Sequence, residues 1–198
     1  MPNTSVLEAI MPEVADLCLE GYFEYNKGRY PVWNHWGLYL RRDVMLVVLD
    51  ALRPLVEREQ CDLIMPIPTS GFPIAGMLFA VGDAGPLVSF HWRDEQLHAE
   101  AKIRSLIEAL GHPPRICAID SVVHTGTSLY VADAMMRARI GCGISAVVSI
   151  VNNDLVPVGL TDPIKVSFET SGKFKYLFRV SDLERIWSSR VEEFMLQR

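Results

Sequence analysis

The run Asp120-Ser121-Val122-Val123-His124-Thr125-Gly126-Thr127-Ser128 sets an acid ahead of a glycine flanked by hydroxyl-bearing residues, a set of groups suited to holding an anion and a sugar. Glycine lets the backbone approach an anion. The loop N–H groups and the hydroxyls of Thr125, Thr127 and Ser128 can donate to it, and the positive end of a following helix dipole lies beneath. Asp120, at the carboxyl end of the preceding strand, faces the sugar side of a bound phosphate, where a carboxylate accepts hydrogen bonds from ribose hydroxyls. The implied ligand is a sugar 5-phosphate. A neutral imidazole at His124 can act as general acid or base near pH 7 or donate to phosphate or base, and contact is favoured over proton transfer.

These residues need a strand, a turn and a helix to position them. Ile116 to Ile119 reads as a buried strand, and Leu129 to Arg139 as a helix stopped by Gly141. Upstream, Thr4 or Ser5 caps a helix through about Leu19 with Val6, Ile10, Val14 and Leu17 on one face, and Gly21 ends it. Tyr22 to Tyr25 reads as a short strand and Asn26 to Arg29 as a turn, leading to the aromatic segment Tyr30 to Trp36. Arg42 to Glu59 suits a helix that Pro54 kinks or resets in register. Leu63-Ile64-Met65 is a strand, Pro66 to Phe72 a loop, and Pro73 onward a helix; Leu87 to Phe90 is the next strand, Arg93 to Glu100 a charged connection, and Ala146 to Val151 a returning strand.

That alternation predicts an α/β fold: one domain over residues 1–198, built on a doubly wound, mostly parallel sheet with flanking helices and a small N-terminal hood over about residues 20–40. Val166, Phe168, Phe174, Tyr176 and Phe178 suggest hairpin-like strands around Ser171-Gly172. Ser181 or Asp182 then caps a last helix, completing the domain over about residues 164–198.

Composition narrows the class. With 49% hydrophobic and 22% charged residues the chain can bury a sizeable core, and a net charge of −5 argues against a nucleic-acid partner. Cys18, Cys61, Cys117 and Cys142 form no CxxC pair, which points to reduced thiols and a cytoplasmic setting. No segment reads as a membrane span, and His35, His91 and His98 lack the spacing of a permanent metal site.

The run from Asp120 to Ser128 resembles the phosphoribosyl-diphosphate loop of the type I phosphoribosyltransferases. In that loop two adjacent acids, two apolar residues and one variable residue precede Thr-Gly or Ala-Gly and a small hydroxylic tail; here Ser121 replaces the second acid. The stretch Gly21 to Trp33 resembles the hood of orotate phosphoribosyltransferases, and Met65 to Ala75 is similar to that family's diphosphate loop. The resemblance implies the fold, a 5-phosphate on Val123, His124, Thr125, Gly126, Thr127 and Ser128, ribose at Asp120 and Ser121, and diphosphate at Thr69, Ser70 and Gly71. It also implies substrate-bound Mg2+ to spread leaving-group charge, and a homodimer in which His91 to His98 covers the neighbouring site. Arg93 and His98 of that lid join Asp120 and His124 as candidate catalytic residues.

The charged positions depart from the family. Asn26, with Lys27 only its neighbour, stands where the hood lysine is expected. Ser70 and Gln96 stand where lysines meet diphosphate, and Asn152 where an arginine meets the orotate carboxylate. Dipoles at these positions can hydrogen-bond a neutral ring or amide but cannot neutralise a carboxylate. The acceptor set is therefore Asn26, Lys27, Trp33, Asn34, His35 and Asn152, with the Trp33 indole either stacking on a heterocycle or packing in the core.

The expected protein is a phosphoribosyltransferase-like enzyme of nucleotide metabolism, moving a ribose 5-phosphate group between diphosphate and a nonorotate nitrogen heterocycle or amide. Its partner is a phosphorylated ribose compound or nucleotide. The alternatives are a noncatalytic nucleotide-binding or regulatory relative and a hydrolase of the glycosidic bond of nucleoside monophosphates.

Overall fold

A computed structural model describes residues 4–25, 28–33, 36–80, 90–91, 96–97 and 100–196. In chain order the elements are α1 (Thr4–Cys18), β1 (Leu19–Tyr25), β2 (Gly28–Trp33), α2 (Trp36–Tyr39), α3 (Arg42–Arg58), β3 (Leu63–Pro66), α4 (Gly71–Ala80), β4 (Phe90–His91) and β5 (Gln96–Leu97). Then follow α5 (Glu100–Leu110), β6 (Ile116–Val123), α6 (Thr127–Ile140), β7 (Ala146–Asn152), α7 (Pro163–Thr170), β8 (Phe174–Arg179) and α8 (Val180–Leu196).

Strands β3 and β7 are apolar at nearly every position because both faces of the sheet are covered. The four parallel strands run in the order β3-β6-β7-β8, with Leu63 opposite Ile116, Cys117 opposite Ala146 and Val147 opposite Phe174. Side chains alternate between two cores. Ile64, Cys117, Ile119, Val148 and Ile150 pack with residues of α1, α3, α4 and α8, whereas Leu63, Met65, Ile116, Ala118 and Val147 pack with residues of α5, α6 and α7. Burying one such aliphatic side chain is worth about 1.5–3 kcal/mol. Helices α4 and α5 cover opposite faces, so the winding reverses between them. In doubly wound sheets that reversal, beside the carboxyl ends of the strands, is where ligands bind. Among the described residues, no helix is long and apolar enough to cross a membrane.

The tail corrects the expected hairpin. Residues 163–170 form helix α7, and β8 runs parallel to β7. Asp162 caps the helix by accepting from the Ile164 N–H at 3.0 Å, with Pro163 at the first helical position. The alternation of Val166 and Phe168 imitates a strand, and a two-turn helix is too short to display its period or to stand alone. Burial of Lys165 and Phe168 stabilises it in place, and a parallel pair needs such a crossover.

Other boundaries also shift. Cys18 ends α1, and Gly21 lies within β1, where the pairing with β2 slips between Leu19 and Gly21. Gly28 and Arg29 belong to β2 rather than to a turn. Helix α3 runs through Pro54, α4 starts at Gly71 rather than after Phe72, and β6 extends beyond Asp120 to Val123. Phe90–His91 pairs antiparallel with Gln96–Leu97, while residues 87–89 of the expected strand lie outside the described residues. Helix α8 begins at Val180, before either expected cap, and the Asp154 carboxylate instead accepts from the Ser181 N–H and hydroxyl at 3.0 and 2.6 Å. Cys18 and Cys117 are buried thiols, Cys61 and Cys142 partly so.

Candidate functional site

Two strand ends and the loops that follow them build the site. Where β3 ends, the chain turns through Pro68, Thr69 and Ser70 into α4, and the Gly71 N–H donates to Ile67 O at 2.8 Å. A Cβ on Gly71 would lie 2.2 Å from the backbone oxygen of Ile119. Glycine is required here so that the start of α4 can rest on β6 immediately before Asp120. That close approach places Ser70 where its hydroxyl donates to Asp120 Oδ1. The residue assigned to diphosphate thus touches the residue assigned to ribose, and Thr69 stays exposed beside them.

Asp120 is buried within β6, three residues before the strand ends, 6% exposed, and also accepts from the Ser121 N–H at 2.8 Å. Burial pushes its carboxyl up to about 7, against the opposing hydrogen bonds from Ser70 and the backbone of Ser121 and Val122. Tyr39 of α2 lies near enough to feel this carboxylate. Burial first, then the charges of Asp120 and Cys18, push its phenol up to about 12, so it stays a neutral donor. Ser121 is fully buried, and its hydroxyl has no hydrogen-bond partner among the described residues. Val123 is a core residue that anchors the loop in the α6 side of the sheet.

The anion loop follows. Gly126 takes the left-handed conformation at φ 90°, and α6 starts at Thr127 without a side-chain cap. Thr125 Oγ1 lies 3.0 Å from Thr127 Oγ1 and accepts from the Thr127 N–H at 3.3 Å. Ser128 is partly buried in the same first turn. His124 Nδ1 is 2.9 Å from Asn153 Nδ2. The Leu155 N–H donates to Asn153 Oδ1 at 3.1 Å, which fixes the amide so that its Nδ2 faces the imidazole as donor. His124 Nδ1 is then the acceptor and Nε2 carries the proton, so His124 offers an N–H rather than a base on its outer edge.

The structure brings together Asp120, Ser121, Val123 to Ser128 and Thr69 to Gly71. Asn152 is turned elsewhere: its Nδ2 donates to Glu169 Oε1 at 2.8 Å, and it lines a separate cavity with Asp154, Tyr176 and Arg179. Asn26, Lys27, Asn34, His35, Arg93 and His98 lie outside the described residues, and Trp33 is placed only as the last residue of β2. Among the described residues, no group of three or more His, Cys, Asp or Glu side chains is placed to hold a metal ion.

Sequence reasoning missed Lys165 and Tyr39. Lys165 Nζ lies under the loop and donates to His124 O and Asn153 O, each at 2.7 Å. Burial draws its ammonium below the ordinary lysine range, opposed by the charges of Glu169 and Asp154. A lone lysine in a stretch read as a strand gave no signal. The capping pair Asp162-Pro163 could have revealed the helix that carries it.

No family model and no curated protein matches this sequence. Solved structures do match it. Orotate phosphoribosyltransferase from Aeropyrum pernix superposes with a TM-score of 0.63 at 19% identity, over 90% of this chain and 99% of that one. Its fold is that of the type I phosphoribosyltransferases. Two further structures with this phosphoribosyltransferase fold also match. One is Mycobacterium tuberculosis orotate phosphoribosyltransferase in complex with 5-phospho-alpha-D-ribosyl 1-diphosphate, with a TM-score of 0.58 at 12% identity over 92% of each chain. The other is adenine phosphoribosyltransferase from Thermoanaerobacter pseudethanolicus, with a TM-score of 0.55 at 12% identity over 84% of this chain and 98% of that one. Identities this low carry the phosphoribosyltransferase architecture across, and the chemistry of this chain rests on its own residues.

Proposed function

We propose that this chain binds a ribose 5-phosphate group on the loop from Val123 to Ser128 and transfers it between diphosphate and a nonorotate nitrogen heterocycle or amide. The observation that carries the reading is the bond between Ser70 and Asp120, which joins a turn suited to diphosphate to a carboxylate suited to ribose hydroxyls, next to a glycine-led helix start. In such a transfer the bond from the anomeric carbon to diphosphate breaks and its electron pair leaves with diphosphate. The acceptor nitrogen supplies the pair for the new C–N bond and gives up a proton. Positive charge spreads over the ribose ring in the transition state, and preorganised dipoles around it supply the catalysis.

Among the described residues brought together here, Asp120 is the carboxylate available to a cation. Mg2+ characteristically binds through one or two carboxylates plus substrate phosphates, so Asp120 fits an ion brought in by the diphosphate rather than a resident one. When bound, that ion would offset charge on the departing diphosphate. The alternative reading, binding or glycosidic hydrolysis of a nucleoside monophosphate, is favoured by one feature. The turn Thr69-Ser70-Gly71 carries no lysine to meet a diphosphate.

Calorimetric titration of phosphoribosyl diphosphate, ribose 5-phosphate and nucleoside monophosphates, with and without Mg2+ and followed by product analysis, separates the readings. A transferase gains affinity for the diphosphate when Mg2+ is added and yields a nucleotide with an acceptor other than orotate. Orotate turnover of about 1 per second or faster would overturn the acceptor assignment. Monophosphate binding with no diphosphate preference would select the alternative.

We also propose a homodimer, in a cytoplasmic setting. Trp36, Leu40, Leu46, Phe72 and Phe79 expose apolar surface on α2, α3, α4 and the turns beside them, around a cavity of about 290 Å3 lined by Tyr39, Met45, Leu46, Leu49 and Met77. Sedimentation velocity is expected to show a dimer for the wild type and a monomer for Leu46→Glu. A wild-type monomer at micromolar concentration removes the proposal.

A further inference from the structure

The anion loop is held from the side opposite its ligand. Lys165 Nζ donates to His124 O at 2.7 Å, and the Asp162 N–H donates to Thr125 O at 2.7 Å. In a trans peptide the C=O and N–H point in opposite directions. Pinning these two carbonyls toward α7 therefore turns the N–H groups of Thr125 and Gly126 to the other face of the loop. Neither N–H has a hydrogen-bond partner among the described residues. Two consecutive N–H groups facing one way, next to a helix N-terminus, make an anion-binding concavity.

Lys165 is unusually placed for a lysine. It is 2% exposed, its ammonium donates to the neutral carbonyls of His124 and Asn153, and Glu169 takes its own hydrogen bond from Asn152. A Cβ added at Gly126 would lie 2.7 Å from Lys165 Cβ, so the lysine stem packs directly beneath the loop glycine. A buried lysine bonded only to carbonyls is costly unless its charge serves something nearby.

We propose that Lys165 is the positioning residue of the 5-phosphate subsite, its buried ammonium fixing the His124 peptide with the N–H side toward the ligand and setting a cation beneath the bound phosphate. The proposal rests on the reading of residues 123–128 as a phosphate loop. It supplies, from the α7 side, positive charge that this chain lacks at Ser70 and Gln96. In a site shielded from water, a cation acts through the loop more strongly than it would across solvent. The ligand class is a phosphate monoester, with the ester group directed toward Asp120.

The test compares wild type, Lys165→Met and Gly126→Ala by calorimetry with inorganic phosphate, with a nucleoside monophosphate and with the matching nucleoside. Methionine keeps an apolar stem of similar reach and removes the ammonium. Lys165→Met is expected to bind phosphate and the monophosphate at least about tenfold more weakly while nucleoside affinity changes less than about twofold, the loss of a charge-assisted arrangement rather than of the fold. Wild-type phosphate affinity in Lys165→Met, or equal loss for nucleoside and monophosphate, overturns the assignment.

Should Lys165→Met fail to fold, NMR of the wild type decides. Adding inorganic phosphate is expected to move the amide resonances of Thr125 and Gly126 together with the Lys165 ammonium signal, and an unmoved ammonium overturns the proposal. If Gly126→Ala loses phosphate but Lys165→Met does not, the loop reading stands and the role of Lys165 falls. If the wild type has no affinity for phosphate, both fall.

Discussion

Asp120→Asn is expected to make the protein more stable at pH 8 by roughly 2–4 kcal/mol while weakening its affinity for ribose 5-phosphate. The Asp120 carboxyl sits at about 7 against an ordinary value of 3.8, because burial disfavours its charged form. Between those two values the folded protein keeps a proton that the unfolded chain has released. Stability from this group therefore falls as pH rises through that window, and the full cost persists above about 7. Asparagine keeps an acceptor for Ser70 and the Ser121 N–H, carries no charge, and removes this cost.

Urea unfolding at pH 5 and pH 8 checks the point: the advantage of the variant must grow with pH. A variant less stable than wild type at pH 8, or an advantage independent of pH, would show that Asp120 is not held above the ordinary carboxylate range. The same proton governs binding. If the ionised carboxylate accepts from ribose hydroxyls, wild-type affinity for ribose 5-phosphate rises with pH up to about 7 and then levels off. Keeping a buried carboxylate here for a ligand costs stability above about pH 7, a trade of stability for function.

Gly126→Ala and Gly141→Ala form a matched pair with different expected outcomes. The two glycines flank the same helix at nearly the same dihedral, φ 90° and 83°. A side chain at either should suffer left-handed strain of about 1–2 kcal/mol. At Gly141 an added Cβ meets nothing within 4 Å, whereas at Gly126 it meets Lys165 Cβ at 2.7 Å. Gly141→Ala should lose stability alone. Gly126→Ala should also push the loop off α7 and weaken nucleoside monophosphate binding about 100-fold, with far less effect on the nucleoside. Thermal unfolding and calorimetry of both variants read this directly, and equal binding by the two would remove Gly126 from the site.

The sequence by itself determined the parallel core and the loop. The apolar runs Leu63-Ile64-Met65, Ile116 to Ile119 and Ala146 to Val151, set between turn signals, read as strands covered on both faces, and Gly126 and Gly141 bracket a helix. Those signals are local, carried by side-chain type and spacing within a few residues. The tertiary structure decided what the groups do. Whether Ser70 reaches a ligand or Asp120 depends on how closely Gly71 lets α4 approach β6. Whether Asn152 faces an acceptor or Glu169 depends on α7, which a strand-like alternation of two apolar residues concealed. Lys165 acquires its place beneath the anion loop through the same short helix. Such a helix lacks the length to announce itself, and its position is set by burial against α6 and β8 rather than by its own propensity.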